Sequence, residues 1–410
     1  MEEKEFLDKY LTDRRNTSCL KWDYLNTRYG EKDLWPMWVA DMEFKSPDGV
    51  IEALKRRVDH GVFGYSFCWD SYYEAYSNWM EENFNYPIKS DWVRTSVGVV
   101  PALYWFIHCF TEEEDGVLIM PPVYYPFHQC ITDTNRKKVL VDLIHQDNQY
   151  AIDYAKVEEK IQEEKVKLLI FCSPHNPASR VWKEEELDRL FAICQRHGVL
   201  IVSDEIHQDF TFNGHQHTPA PRVHDGKYKD QIILVNAASK TFNLAGLVHS
   251  NIVIENEELR LQFDDYQKSH VPMEVNILGH LATEEAYRHG KDWLKALKGV
   301  IWSNYLYLKE SIERELPEVK VADLQGTYLP MIDLSHLIDT EGDEKVIVNN
   351  MPVPKKLKHF VQDKCRLAVD YGAWFGDAYQ GYIRFNLATD PQIVKKVVDT
   401  LISQAKELKA

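Results

Sequence analysis

The chain has 410 residues, 44% hydrophobic and 27% charged, which is the composition of a folded protein of two or three packed domains and excludes wholesale disorder. Its formal net charge is −16, from 64 acidic against 48 basic side chains, and no run of clustered Lys/Arg interrupts it. Such a surface repels phosphate backbones and anionic lipid, so neither nucleic acid nor a membrane is expected as a partner.

The start, Met1-Glu2-Glu3-Lys4-Glu5, lacks the basic-then-apolar pattern of a signal peptide. The longest apolar stretch, residues 97–110, is broken by His108 and falls short of the ~20 residues a membrane span needs. The seven cysteines include no C-x-x-C pair, and several sit inside apolar runs, as Cys172 does. This predicts reduced core thiols in a cytoplasmic protein.

Between residues 94 and 255 short apolar runs alternate with helical stretches. The runs 117–120, 167–172, 199–203, 232–236 and 250–254 are too short for buried helices and several are rich in Val and Ile. The segment 184–197 between two of them carries Leu187, Leu190, Phe191 and Cys194 at helical spacing. Strand–helix alternation predicts an α/β fold with a mostly parallel sheet covered by helices on both faces. From 272 to 315 the pattern is helical, with Gly279, Gly290 and Gly299 inside it. Strands are expected at 320–322, 327–334 and 382–387. A final helix is expected after the cap candidate Asp390 and Pro391, with Ile393, Val394, Val397, Val398, Leu401 and Ile402 on one stripe. The reading is a large α/β domain over 45–286 and a smaller α+β domain built from 1–44 and 287–410.

Ligands of such a sheet bind beyond the carboxyl ends of its strands. There stand Asp204 and Glu205, Ser239 and Lys240, Ser173, His175 and Asn176, and Tyr124 and Tyr125. A carboxylate, an amine, an amide and an aromatic ring on one rim suit pyridoxal 5′-phosphate (PLP). That cofactor needs a lysine for covalent attachment, a carboxylate at its ring nitrogen, a flat side chain on its face and donors for its phosphate. Each residue alone has a plainer reading. Lys240 could be a solvated surface residue, Asp204 a helix cap, Tyr124 core packing, and 97–103 a simple helix start. His215-Gln216-His217 with His207 offers three imidazoles but reads as a solvated turn rather than a metal site. No G-x-x-x-x-G-K-[ST] or G-x-G-x-x-G stands at a strand–helix turn.

The order Gly98-Val99-Val100-Pro101-Ala102-Leu103, Pro122-Val123-Tyr124-Tyr125-Pro126, Ser173-Pro174-His175-Asn176-Pro177, Asp204-Glu205-Ile206-His207, Ser239-Lys240-Thr241-Phe242-Asn243 and Arg384-Phe385-Asn386 resembles the class I/II aminotransferase superfamily of fold-type I PLP enzymes. Lys21-Trp22-Asp23, the segment from Trp38 through Asp41 to Phe44, the turn from His60 to Tyr65, and Gly246 soon after the lysine are similar to the MalY/PatB-type cystathionine β-lyases, the C–S lyases. The resemblance runs from about residue 14 to 400.

It implies a homodimer with a shared active site, in which Lys240 carries PLP and moves the substrate's α-proton. Asp204 would pair with the ring nitrogen, Asn176 would bond the ring hydroxyl, His207 would adjoin the ring, and Tyr124 would stack on it. Val99 and Val100 N–H groups and Ser239 would hold the phosphate, with Tyr65 reaching it from the neighbouring subunit. Arg384 would fork onto the substrate's carboxylate, with Asp41 and Tyr65 also on the substrate side. The implied activity is cleavage of the Cβ–S bond of L-cystathionine or a related cysteine conjugate to thiol, pyruvate and ammonia. An aminotransferase is the alternative, and a regulatory binding protein on the same fold a third. The sequence also departs from the superfamily. Its arginine eight residues after the lysine is Val248 here, Ala237 replaces a frequent serine, the 176–180 turn reads Asn-Pro-Ala-Ser-Arg, and Glu43 stands where the branch often has aspartate.

Overall fold

The computed structural model describes residues 1–146, 149–272 and 275–409. Seven strands form the main sheet: Val93–Ser96 (β1), Gly116–Ile119 (β2), Lys137–Leu140 (β3), Val166–Cys172 (β4), Leu200–Asp204 (β5), Ile232–Asn236 (β6) and Ser250–Ile254 (β7). Their order is β1-β7-β6-β5-β4-β2-β3. Only β7 runs against its neighbours; the other pairings are parallel.

The central strands read as unbroken apolar runs because both faces are covered. Along β4, Leu168, Ile170 and Cys172 pack with Phe106, Phe127 and Phe263 from helices on one face. Leu169 and Phe171 pack with Leu187, Leu190 and Phe191 on the other. Helix Glu184–Arg196 supplies that second layer, and its Leu187, Leu190, Phe191 and Cys194 are all buried. Burying each such side chain contributes roughly 1.5–3 kcal/mol.

A second, antiparallel sheet comprises Lys320–Val321 (β8), Met331–Asp333 (β9), Asp370–Tyr371 (β10) and Tyr382–Arg384 (β11), in the order β8-β9-β11-β10. Helix Pro391–Lys409 buries Val394, Val397, Val398, Leu401 and Ile402 of the expected stripe, with Ile393 half-buried, and the Gln392 N–H donates to Asp390 Oδ1 at its start (2.9 Å). A single cluster of buried side chains runs from Phe6 and Tyr72 through Leu234 to Leu297 and Val397, so the two sheets share one continuous core.

Three expectations change. The strands expected over 327–334 and 382–387 are only Met331–Asp333 and Tyr382–Arg384. Of the helical run 272–315, residues 273–274 lie outside the described residues, and the rest holds two helices, Ile277–His289 and Lys291–Glu315, broken at Gly290. A Cβ at Gly290 would collide with the Phe242 ring, so close packing beneath the Lys240 segment requires glycine at this break. Among the described residues no helix is long and apolar enough to cross a membrane.

Candidate active site

The strand ends converge as expected. One cavity is lined by Val99, Val100, Tyr124, Asn176, Asp204, His207, Ser239, Lys240 and Arg384. It encloses about 230 Å³, far more than the ~30 Å³ share of one water, so it is room for a ligand. β5 ends on Asp204, β4 leads to Asn176, β2 to Tyr124, and β6 to the short helix Ala238–Thr241 that carries Lys240. β1 leads through Gly98 into helix Val99–Phe110. Gly98 has φ 150° and ψ 159°, a conformation that glycine adopts readily and L side chains do not. This lets the chain turn sharply and leaves the helix's first N–H groups at the cavity wall, where an anion is favoured.

Lys240 Nζ donates to the Ala40 carbonyl at 2.9 Å and forms no ion pair among the described residues. Burial depresses its pKa, and the Arg384 charge adds to that, while Asp41 and Asp204 oppose it. The amine is thus easier to deprotonate than an ordinary lysine. Asp204 accepts from the Ile206 N–H (3.0 Å), and burial pushes it up to about 7 against the opposing pull of Lys240. A carboxyl held so high stands to gain from a cation placed against it. His207 is held neutral by burial, reinforced by Lys240 and Arg384, and its Nδ1 is buried without a partner.

Arg384 donates to Asn176 Oδ1 (2.9 Å) and to the Trp38 carbonyl (3.1 Å), and is ion-paired with Asp370. A guanidinium can only donate, so Asn176 turns its oxygen to Arg384 and keeps its NH₂ for another acceptor. Burial raises the Asp370 pKa, and Arg384 and Arg28 oppose the rise.

Sequence reasoning missed several supporting residues. Asp370 has no pattern linking it to Arg384; the two meet because β10 and β11 pair in register. Asn386 donates to the Val39 and Asp41 carbonyls, Asn243 to those of Met42 and Phe44, and Tyr328 to that of Ala40. Together they tie the 38–44 segment across the cavity. Asn386 and Asn243 stood inside the motifs quoted above, which was the available signal.

Two predicted residues lie elsewhere. Tyr65 is 94% exposed and outside the cavity of its own chain. Asp41 is ion-paired with Arg14 at 2.7 Å and is not part of the cavity wall, although its Oδ1 is buried and unpartnered. The 215–217 turn also differs from expectation. His217 is buried and bonds Glu205 at 2.7 Å, behind Asp204, while only its neighbours face solvent. No cluster of metal-ligating side chains occurs among the described residues.

The donor set fits PLP: an amine free of any carboxylate, a buried carboxylate awaiting a cation, a free amide NH₂, an aromatic ring and a helix N-terminus on one rim. The sequence model described as "Aminotransferase class I and II" matches residues 39–401, and the chain belongs to that family. It is 35% identical to the cystathionine beta-lyase PatB of Bacillus subtilis (strain 168) over 376 residues, 91% of this chain and 93% of that protein. It is 30% identical to protein MalY of Escherichia coli (strain K12), over 97% and 98% of the two chains. The crystal structure of cystalysin from Treponema denticola, which contains a pyridoxal 5′-phosphate cofactor, superposes with a TM-score of 0.89 at 35% identity, covering 97% of this chain and 98% of that one.

Proposed function

We propose that the chain is a PLP-dependent C–S β-lyase acting on L-cystathionine or a related S-conjugate of cysteine. The observation that carries it is Lys240: an enclosed amine between Asp204 and Arg384, bonded only to a carbonyl, in a chain whose relatives include a named cystathionine β-lyase. When bound, PLP supplies an electron-withdrawing ring that takes up the electron pair released at the substrate's α-carbon. Lys240 would hold the cofactor and, as a depressed-pKa amine, would accept the α-proton. Asp204 would keep the ring nitrogen protonated, Asn176 would donate to the ring hydroxyl, and Tyr124 would lie against the ring. Arg384 orients the substrate's carboxylate through paired N–H groups. The Cβ–S bond then breaks with its electrons going to sulfur, and the three-carbon remainder takes up water to give pyruvate and ammonia. Thiolate is a good leaving group because its conjugate acid has a pKa near 8.5.

The active unit is a homodimer in the cytoplasm. Val62, Phe63, Tyr65, Phe67 and Trp69 are exposed together on an arm without regular structure, an apolar surface that a second copy would cover. Seven free cysteines suit a reducing compartment. The division into a cofactor-bearing unit, 45–286, and a second unit of 1–44 and 287–410 rests on the separate sheets.

The test is incubation of purified protein with L-cystathionine, following pyruvate and free thiol together. Equal amounts of both are expected, with slow glutamate formation from aspartate or alanine plus 2-oxoglutarate. Faster glutamate formation than pyruvate release would overturn the lyase reading in favour of an aminotransferase.

A further inference from the structure

The cofactor's phosphate carries nearly two negative charges, and the position where the superfamily has an arginine is Val248 in this chain. Val248 sits at φ 44°, an outlier for a β-branched residue. It presents the next residue, His249, to the cavity wall beside Val97–Val100. Strand pairing explains the placement. β7 is antiparallel to β1, with Ser250 opposite Ser96, so the residue before β7 lies beside the turn that follows β1. Gly279 backs onto it so closely that a Cβ there would sit 3.0 Å from His249 Cβ.

One ring nitrogen is already committed. His249 Nε2 lies 2.7 Å from the Tyr72 hydroxyl, and that hydroxyl donates its only proton to Asn251 Oδ1. Asn251 is held in this orientation because its NH₂ faces Asn236 Oδ1 and the Tyr287 hydroxyl (both 3.4 Å). Asn236 Oδ1 also accepts from Tyr76 (3.0 Å). Tyr72 must therefore accept from His249, which puts the imidazole proton on Nε2 and leaves Nδ1 as the nitrogen for a ligand.

We propose that His249 binds the cofactor's phosphate through Nδ1, taking up a proton from solvent as it does so, while Tyr72 fixes its other nitrogen. It is a positively charged phosphate ligand standing one residue beyond the missing arginine. Without a ligand, burial drives the His249 pKa down to about 3, with His280 adding to that, so the ring is neutral. The groups around it are Tyr72 from helix Asp70–Phe84, kept protonated by burial, and His280 from helix Ile277–His289, lowered to about 4. Cys68 Sγ lies 3.4 Å from His280 Nδ1 and is raised by burial. None of these is an anion at neutral pH, so the phosphate is the counter-charge that can hold the second proton. Affinity for the phosphate should then be greatest at low pH and fall as pH rises through the pKa of His249 in the loaded site.

This inference rests on the cofactor reading, and the test separates the two. PLP and pyridoxal, which lacks the phosphate, are titrated into cofactor-stripped protein from pH 6 to 9. In the unaltered protein, PLP should gain on pyridoxal as pH falls. His249→Gln should weaken PLP tenfold or more, change pyridoxal less than twofold, and abolish the pH dependence of their ratio. Calorimetry near pH 7 in buffers of different ionisation heat should show close to one more proton taken up with PLP than with pyridoxal. That measurement stands on the unaltered protein even if the variant fails to fold. Tyr72→Phe should also lower the PLP-to-pyridoxal ratio while leaving pyridoxal binding intact. An unchanged ratio in His249→Gln, an equal loss of both ligands, or no excess proton uptake would overturn the assignment. Failure of both ligands to bind the unaltered protein would overturn the cofactor reading with it.

Discussion

The cavity rim and the 61–69 arm are built in opposite ways. At the rim, polar groups are buried and held by named partners: Arg384 by Asp370 and Asn176, Asp204 by the Ile206 N–H, Lys240 by the Ala40 carbonyl. On the arm, apolar and aromatic side chains stand in solvent, and Tyr65 is 94% exposed. One chain therefore gathers by itself the residues proposed to hold a ring and an α-carboxylate. The arm exposes the apolar surface that the proposed dimer would cover. A site divided this way should respond to rim mutations independently of concentration, and to arm mutations through assembly.

Four changes sharpen that contrast. Lys240→Ala should lower pyruvate release by about 10³-fold or more, since it removes both the proposed cofactor attachment and the proposed proton acceptor. Retention of more than a tenth of the activity would place the chemistry elsewhere.

Asp204→Asn should stabilise the cofactor-free protein. The folded carboxyl titrates at about 7 against an ordinary value of 3.8. Between those values the folded state holds a proton that the unfolded state has lost, so stability falls as pH rises through the window. Asparagine is exempt from that loss. The variant's advantage in urea unfolding should grow from pH 4 to 7 and level off at no more than about 4 kcal/mol. The same substitution should weaken PLP binding, and a pH-independent difference would contradict the burial argument.

Arg384→Lys keeps the charge but loses the paired N–H groups, so kcat/KM for an S-substituted cysteine should drop about 10²-fold. Most of that should appear in KM, because the contact is made before the α-proton moves.

Tyr65→Phe should give the smallest effect, about tenfold weaker PLP binding, the value of one lost hydrogen bond. Mixing it with Lys240→Ala should restore activity toward one unaltered site per heterodimer. If subunit exchange is verified and activity does not recover, the arm does not complete a partner's site.

The residues legible in the sequence were those that follow a parallel strand. Asp204, Lys240, Asn176 and Tyr124 could be read because strand ends in a doubly wound sheet share one rim. His249 escaped for the converse reason: β7 is antiparallel, so its rim residue precedes the strand instead of following it. Asp370 escaped because its partner is set by register in a four-stranded sheet with strands too short to leave a pattern. The polar neighbours of His217 point to a solvated turn, yet Glu205 draws it inward, and nothing in the local sequence signals that pairing. Gly290 looked like a tolerated helix residue until the Phe242 ring beside it showed why no side chain fits.

The most direct test of the whole arrangement is borohydride reduction of the PLP-loaded protein followed by peptide mapping. Lys21 is buried but paired with Glu43 at 2.8 Å, and half-buried Lys298, bonded to the Asp209 carbonyl at 2.9 Å much as Lys240 is to that of Ala40, lies outside the cavity wall. Among the described residues, Lys240 alone of the lysines combines a depressed pKa with a place on the cavity wall. The pyridoxyl group should be found on Lys240 alone; finding it on Lys21, Lys298 or a scatter of surface lysines would contradict the site.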